Sequence, residues 1–205
     1  MEQSITHWCE YIESKLLPLM GSTPEGNIYC KHKSTLKSNE LVPKQINISR
    51  FFSAHTPNEV LEIGFNGGFS TLLMKMTNPQ IKITCVDINE HPYVIPCYNQ
   101  ISSDFNDIDM IPKSSIVALP ELIHKGNKYD FIHIDGDHRL EGARKDFEAC
   151  LKVSHKGTII LFDDTNIDYL NKLCNEYVNK GIVSEYEFDG KVVCKSYKHR
   201  FLIIN

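Results

Sequence analysis

The chain has 205 residues, of which 41% are hydrophobic and 23% are charged, and its formal net charge is −4. This size and composition are typical of one globular domain and exclude a disordered, collagenous or fibrous protein. The acidic balance disfavours a dedicated nucleic-acid-binding protein, because such proteins are usually basic. We expect neither a membrane span nor a secretory signal, since no sufficiently long apolar stretch and no basic leader pattern occur.

Residues 1–50 form a first zone that reads as helix and loop. Apolar residues from Ile5 to Leu17 recur with the helical period before the break at Gly21. A second, short helix is predicted around Gln45 to Ala54. The lysines before it, including Lys37 and Lys44, are interpreted as part of a solvated loop, with an anion site as the alternative.

From residue 58 onwards, predicted strands alternate with predicted helices. The strands are expected at 60–63, 81–87, 129–135 and 158–162, and the helices at 69–76, about 140–151 and about 167–180. Such alternation is typical of a parallel sheet covered by helices on both faces. The tail differs, because 184–188, 191–195 and 201–204 show strand and hairpin signals around Asp189-Gly190. We expect an antiparallel strand there.

Each strong strand ends in glycine or an acidic residue: Gly64, Asp87, Asp135 and the pair Asp163-Asp164. Ligands bind beyond the carboxyl ends of the strands in such sheets, so these residues predict one site. Glycines after the first strand would let the backbone approach a ligand at a helix N-terminus. An acid at the end of the second strand suits a ribose diol.

The first turn lacks the glycines of a dinucleotide-binding turn, because Asn66 and Phe69 stand where that pattern needs glycine. A cofactor with a ribose but no pyrophosphate therefore fits better. Two structural alternatives stay open. The glycines could simply permit a tight turn, and Asp87 could cap a helix.

Three acids are expected to converge, because Asp135 and the pair Asp163-Asp164 end adjacent strands about 4.8 Å apart. Close carboxylates repel one another unless a cation or shared protons neutralise them. An all-oxygen cluster suits Mg²⁺, Mn²⁺ or Ca²⁺ and not zinc. The alternative is that the Asp163-Asp164 pair caps the following helix.

Seven cysteines are scattered along the chain without a C-x-x-C pair. Their odd number and irregular spacing argue against a disulfide framework and against a zinc site. We therefore expect reduced thiols, a cytoplasmic location and no catalytic cysteine.

Taken together, the motifs resemble those of the class I S-adenosylmethionine-dependent methyltransferases. The resemblance covers roughly residues 58–165 and is carried by Glu62 through Gly68, Asp87 through Tyr93, Asp135 through His138, and Asp163-Asp164. It implies an α/β fold: a Rossmann-like, doubly wound, seven-stranded and mostly parallel sheet with an antiparallel C-terminal strand. A single domain would span 1–205, with a lid in 1–50 over the acceptor and a cofactor-binding core in 58–205.

The resemblance also implies which residues hold S-adenosylmethionine. Asp87 would hold the ribose, Ile88 would border the adenine, and Asp135 would also contact the cofactor. A serine near the adenine best matches Ser115, although relatives often have Gly-Asp-Ser where this chain has Lys113-Ser114-Ser115. The methionine part would be surrounded by Glu62, Gly64, Phe65, Asn66, Gly68 and Ser70.

The acids are similar in type and spacing to those of metal-dependent O-methyltransferases, which include the catechol and caffeoyl-coenzyme A enzymes. In that group a general base lies three residues after the first Asp, and here that place belongs to His138. The resemblance therefore implies His138 and Asp135 as catalytic residues and Asp135, Asp163 and Asp164 as metal ligands. An imidazole with its usual pKa can accept a hydroxyl proton at neutral pH. A helix-capping or surface role is the alternative for His138.

We therefore expect a divalent-metal-assisted O-methyltransferase, with Mg²⁺ before Mn²⁺ or Ca²⁺, acting on a small hydroxylated acceptor. The acidic motifs look nearest to those of enzymes that methylate sugar hydroxyls of glycans or glycosides. The alternatives are a catechol or phenol acceptor, a non-catalytic cofactor-binding domain, and a hydroxylase, which the lack of an evident iron triad disfavours. The expected partner is the acceptor, with a second copy of the chain in a homodimer as a further candidate and without nucleic acid or membrane.

Overall fold

The computed structural model describes residues 2–21, 24, 26–31 and 34–205. The helical segments are α1 (Glu2–Tyr11), a π-helical turn (Ile12–Leu16), α2 (Leu17–Met20), α3 (Val42–Ala54), α4 (Phe69–Thr77), α5 (Val94–Asp104), α6 (Ser115–His124), α7 (Leu140–Lys152) and α8 (Asp168–Asn179). The strands are β1 (Glu59–Ile63), β2 (Lys82–Asp87), β3 (Ile108–Pro112), β4 (Tyr129–Ile134), β5 (Ser154–Phe162), β6 (Val183–Glu185) and β7 (Arg200–Ile204). Within these ranges, no helix has the length and apolar character needed to cross a membrane.

The seven strands form one sheet in the order β3-β2-β1-β4-β5-β7-β6. Strands β1 to β5 pair in parallel, and β7 runs antiparallel to both β5 and β6. The predicted mostly parallel sheet with an antiparallel C-terminal strand is confirmed. The strand order reverses between β1 and β4, and crevices for ligands open at such reversal points.

Two hydrophobic layers flank the sheet, which confirms that helices cover both faces. One layer holds side chains of α1, α3, α4 and α5, including Trp8 and Phe51. The other holds side chains of α6, α7 and α8, including Phe147 and Tyr177, whose ring centroids lie 4.5 Å apart. Burial on both faces explains why the central strands read as almost continuous apolar runs in the sequence.

The helices of the first 50 residues belong to this core. Trp8 in α1 is fully buried, and its Nε1 donates to the carbonyl oxygen of Phe69 at 2.8 Å. Phe51 and Phe52 of α3 pack on Phe131 of β4, with centroid distances of 4.9 and 4.8 Å. The predicted lid therefore has its helices fixed against the sheet, and a lid role stays a prediction for the loop residues between them.

The predicted hairpin over 184–195 was wrong, because only Val183–Glu185 joins the sheet before β7. The backbone of Val192 pairs instead with the side-chain amide of Asn47 in α3, as its N–H donates to Oδ1 at 2.7 Å and its carbonyl accepts from Nδ2 at 2.9 Å. Phe188 packs on Phe51 and Phe201. Contacts to α3 thus replace the strand pairing that the local pattern favoured.

If α1 is part of the core, Trp8→Ala should lower the free energy of unfolding by about 3–5 kcal/mol. Circular dichroism in urea measures this, since the variant lacks the chain's one tryptophan. Leu36→Ala, at a side chain that is 77% exposed, is the matched control and should change stability by less than about 0.5 kcal/mol. Equal stability of wild type and Trp8→Ala would mean that α1 can detach from the sheet.

Candidate active site at the carboxyl edge of the sheet

A cavity of about 700 Å³ opens at the carboxyl ends of β1, β2 and β4. Its walls come from the loops that follow these strands, from the start of α6 and from α8. The lining residues are Gly26, Ile63, Gly64, Asn66, Val86, Asp87, Ile88, Glu90, His91, Ser114, Ser115, Ile116, Asp135, Gly136, Asp137, His138, Arg139 and Tyr169. Six of the residues predicted to hold the cofactor line this one cavity: Gly64, Asn66, Asp87, Ile88, Ser115 and Asp135.

Gly64 lies where β1 and β4 approach most tightly. Its φ is +93°, and a Cβ placed there would lie 2.0 Å from the carbonyl oxygen of Asp135. Gly68 has a φ of +73°, and a Cβ there would meet the ring of Phe65. Packing therefore requires both glycines. The backbone of Gly64 also forms part of the cavity wall.

Asp87 is held by the backbone on both oxygens. Its Oδ2 accepts from the N–H of Asn66 and its Oδ1 from the N–H of Asn89, each at 2.7 Å. Helix α5 starts only at Val94, so the capping alternative for Asp87 is wrong. A carboxylate fixed in this way faces the cavity in one orientation.

Two apolar side chains line the cavity beside Asp87. Ile88 is 62% exposed and Ile116, next to Ser115 at the start of α6, is 60% exposed. Exposed apolar groups inside a pocket with a few fixed polar groups are typical of small-molecule sites. Ile116 was not predicted as a site residue, because the resemblance points to the serine before it, Ser115.

The remaining predicted cofactor residues, Glu62, Phe65, Gly68 and Ser70, do not line the cavity. Glu62 is fully buried and accepts hydrogen bonds from Ser70 and Thr71. Its Oε1 also lies 2.9 Å from His133 Nδ1. These side chains pack against the side of the β1–α4 turn that faces away from the cavity. They can influence a ligand only by positioning the backbone of that turn.

The predicted catalytic pair is brought together with Asp164. His138 Nε2 lies 3.3 Å from Asp135 Oδ1 and 3.5 Å from Asp164 Oδ2. Neither predicted cap is formed: α7 and α8 have Arg139 and Ile167 as N-caps, without a side-chain capping bond. The capping alternatives for His138 and for the Asp163-Asp164 pair are therefore wrong.

A buried lysine belongs to this cluster, and the prediction that Lys44 lies in a solvated loop is wrong. Lys44 of α3 is 3% exposed; its Nζ contacts Asp163 Oδ1 and lies 3.3 Å from Asp164 Oδ1. On the other side of Asp163, Oδ2 faces His133 Nε2 at 3.9 Å. No local sequence motif indicates that Lys44 belongs to the site, because it lies 120 residues before Asp164 in the chain.

Neighbouring charges shift the ionisation of these groups. A hydrogen bond to Asp135 raises the pKa of His138 to about 9. Burial would lower the pKa of His133, but the carboxylates of Asp163 and Glu62 raise it to about 10. Burial also opposes charge on Lys44, yet Asp163 and Asp164 hold its pKa above the usual range. At neutral pH these three cations therefore face the carboxylates, and the expected ordinary pKa of His138 was wrong.

The pKa values of Asp135 and Asp163 shift in opposite directions. Burial, and then the charge of Asp163, raise the pKa of Asp135. Burial would do the same to Asp163, but the ammonium of Lys44 outweighs it and holds the pKa of Asp163 below its usual range. Of the two carboxylates, Asp135 therefore has the higher proton affinity, and it lines the cavity together with His138.

A family model described as a methyltransferase domain matches residues 61–165. No curated protein sequence matches the chain significantly.

Solved structures share the fold at low identity. An O-methyltransferase of Bacillus cereus in complex with SAH has a TM-score of 0.70 at 16% identity, over 98% of this chain and 91% of that chain. The SAH-bound methyltransferase PaMTH1 of Podospora anserina has a TM-score of 0.67 at 12% identity, over 100% and 95%. The O-methyltransferase TomG of Streptomyces achromogenes, involved in tomaymycin synthesis and solved with SAM, has 0.62 at 15% identity, over 79% of each chain.

The close approach of β1 and β4 at the cavity can be tested with two glycines of similar backbone conformation. Gly64→Ala and Gly126→Ala both place a side chain at positive φ, but at Gly126 no atom lies within 4 Å of the new Cβ. We expect Gly126→Ala to cost about 1–2 kcal/mol and Gly64→Ala clearly more. Urea unfolding of both variants measures the difference; equal costs would show that β4 can move away without penalty.

Proposed function

The chain belongs to the methyltransferase-domain family, and from that premise we propose that it transfers the methyl group of S-adenosylmethionine to a hydroxyl of a small acceptor. The observation that carries the proposal is that one cavity contains two kinds of residue. Asp87, Ile88 and Ile116 suit a nucleoside and form what we call the nucleoside-like end. Asp135 and His138 can exchange protons and form the acid-base end.

The nucleoside-like end suits the cofactor. The carboxylate of Asp87 can accept both hydroxyls of a ribose, and its orientation is already fixed by two backbone amides. Ile88 and Ile116 offer apolar contact to a flat adenine ring. The methionine part would extend past Gly64 towards Asp135, both of which line the same cavity.

The acid-base end suits transfer to oxygen. In this reaction the bond between sulfur and the methyl carbon breaks, a bond from that carbon to the acceptor oxygen forms, and the hydroxyl loses its proton. His138 with Asp135 is placed to receive that proton, because the imidazole lines the cavity and is 44% exposed. S-adenosylhomocysteine and a methyl ether are the products.

A sugar hydroxyl is the proposed acceptor. The walls around His138 supply charged and hydroxyl groups from Asp137, Arg139 and Tyr169, which can hydrogen-bond the several hydroxyls of a pyranose. A catechol or phenol could pack its ring on Tyr169, whose hydroxyl donates to the carbonyl oxygen of His138 at 2.9 Å, but this end offers more polar and charged groups than apolar ones. The catechol acceptor therefore ranks second, and a non-catalytic cofactor-binding domain third.

The divalent metal expected from the three acids remains a prediction, and the surroundings of these acids do not fit it. Of the expected ligands Asp135, Asp163 and Asp164, Asp163 is 3% exposed and already contacts the Lys44 ammonium. A metal ion needs its oxygen ligands at about 2.0–2.6 Å. An ammonium in contact with the same oxygen blocks that approach, so no step of the proposed reaction is assigned to a metal.

The proposed transfer is tested by incubating the protein with S-adenosylmethionine labelled in the methyl group, together with a panel of glycosides and a panel of catechols. Label should appear in a glycoside ether. Label in catechols alone would select the second acceptor class. Binding of S-adenosylhomocysteine without transfer to either panel would favour the non-catalytic domain.

Asp87→Ala should weaken S-adenosylhomocysteine binding by about 1–3 kcal/mol, because hydrogen bonds to a charged group are lost. Isothermal titration calorimetry measures this. Asp109→Ala removes an exposed carboxylate from the adjacent strand β3 and is the matched control, with unchanged affinity. Equal affinities in the two variants would remove Asp87 from the cofactor site.

His138→Ala should lower the turnover rate by about 10²–10⁴ if the imidazole accepts the hydroxyl proton. Because the pKa of His138 is about 9, the wild-type rate should rise with pH up to that value, as the imidazole loses its proton. The variant should lose this rise while keeping its affinity for S-adenosylhomocysteine. A variant with the wild-type rate and pH profile would exclude the role.

A further inference from the structure

We propose that the ammonium of Lys44 is the resident cation of the acidic cluster, where it holds Asp163 and Asp164 in the place that a divalent metal would otherwise take. The inference rests on the proposed function, because it concerns the groups beside the transferred proton. It assigns a positioning role to a residue of α3, outside the matched methyltransferase region at 61–165.

The contacts of Lys44 are those of an ion within the cluster. Nζ bridges Asp163 Oδ1 and Asp164 Oδ1, and the lysine side chain is only 4% exposed. Asp163 Oδ1 also accepts the N–H of Asp164 at 2.7 Å. A buried ammonium needs partners that compensate its lost hydration, and for Lys44 the two carboxylates provide this compensation.

Lys44 acts on the catalytic pair through Asp164. The two oxygens of that carboxylate face different cations, because Oδ1 faces Lys44 Nζ at 3.3 Å and Oδ2 faces His138 Nε2 at 3.5 Å. Asp164 also has a φ of +52°, a conformation that a non-glycine residue adopts rarely and that surrounding contacts must hold. Lys44 thus helps to fix the oxygen against which His138 is oriented.

Helix α3 is anchored so that the ammonium stays in place. Gln45 Nε2 donates to the carbonyl oxygen of Ile28 at 2.6 Å. Two residues further, Asn47 bonds both backbone groups of Val192 and lies 2.9 Å from His199 Nε2. These contacts hold the backbone from which the Lys44 side chain reaches the two carboxylates.

Two further donor sets could hold a metal, and they define the competing outcome. Ligand atoms lie within 4.8 Å of one another in the set Asp135, His138 and Asp164 and also in the set His133, Asp135 and Asp163, whose Asp163 contacts Lys44. A dication there would stand next to the Lys44 ammonium, and the repulsion between the two charges opposes its binding. Removal of the ammonium should therefore create a metal site that the wild type lacks.

The test uses Mn²⁺ as the probe, with electron paramagnetic resonance to count bound ions. Wild type should bind Mn²⁺ no more tightly than about 1 mM, and Lys44→Met should gain one site that is at least about tenfold tighter. Adding Asp164→Asn to Lys44→Met should remove that site. Lys44→Arg, which keeps the charge, should behave like wild type.

Lys75→Met is the matched control. Lys75 is also a buried lysine, but its Nζ donates to the backbone carbonyls of Pro79 and Ile81, far from the carboxylates in the chain. This variant should show wild-type Mn²⁺ binding even if it loses stability. A purely structural effect of losing a buried amine would therefore lower the Tm of both methionine variants. The new metal site should appear in Lys44→Met alone.

A wild-type protein that binds one Mn²⁺ tightly, with the ion lost in Asp164→Asn, would overturn the inference. So would a folded Lys44→Met that binds Mn²⁺ no better than wild type. If Lys44→Met does not fold, the wild-type titration alone decides. Calorimetry with S-adenosylhomocysteine tests the proposed function separately. A wild-type protein that does not bind S-adenosylhomocysteine would refute the function, whereas tight Mn²⁺ binding by the wild type would refute the role of Lys44.

Discussion

A buried row of alternating charges, Glu62, His133, Asp163 and Lys44, holds the centre of the sheet and one of its covering helices together. Glu62 and His133 are neighbours in the β1–β4 register, Asp163 directly follows β5, and Lys44 reaches in from α3. Each of these groups is costly to bury alone and is stabilised by the next. The row thereby fixes the carboxyl ends of three strands, and the cavity lies against those ends.

The cavity combines a rigid polar frame with an apolar end. Asp87 is oriented by backbone amides, and Gly64 permits the close contact of β1 and β4. Ile88 and Ile116 remain exposed inside a protein whose other large apolar side chains are mostly buried. Exposed apolar area beside fixed hydrogen-bond acceptors favours a ligand with one flat apolar part and one hydroxylated part.

The sequence was sufficient to predict those site residues that directly follow a strand. Asp87, Asp135 and the Asp163-Asp164 pair converge because parallel strands present their carboxyl ends at one edge. Lys44 could not be predicted in this way, since its position depends on how α3 packs, and a lone lysine in a lysine-rich chain carries no local signal. The three acids therefore indicated a metal, while the folded chain supplies its own cation.

The failed hairpin has a related cause. Residues 184–195 have the strand pattern, but their neighbours in space lie in α3, and Asn47 satisfies the backbone of Val192. Tertiary contacts outweigh local strand propensity when a side chain can make both hydrogen bonds of a residue. The same helix thus determines both departures from the sequence prediction, the unformed hairpin and the lysine among the acids.

The charges of the cluster also bear on when His138 can act. With a pKa of about 9 the imidazole is a strong proton acceptor, but only about 1% of it is neutral at pH 7. The sulfonium of S-adenosylmethionine brings a positive charge into the same cavity, and a nearby like charge lowers the pKa of a cation. Cofactor binding would therefore lower the pKa of His138 and raise its neutral fraction. In the proposed transfer the sulfur becomes neutral as the imidazole gains the hydroxyl proton, so the total charge of the site is conserved.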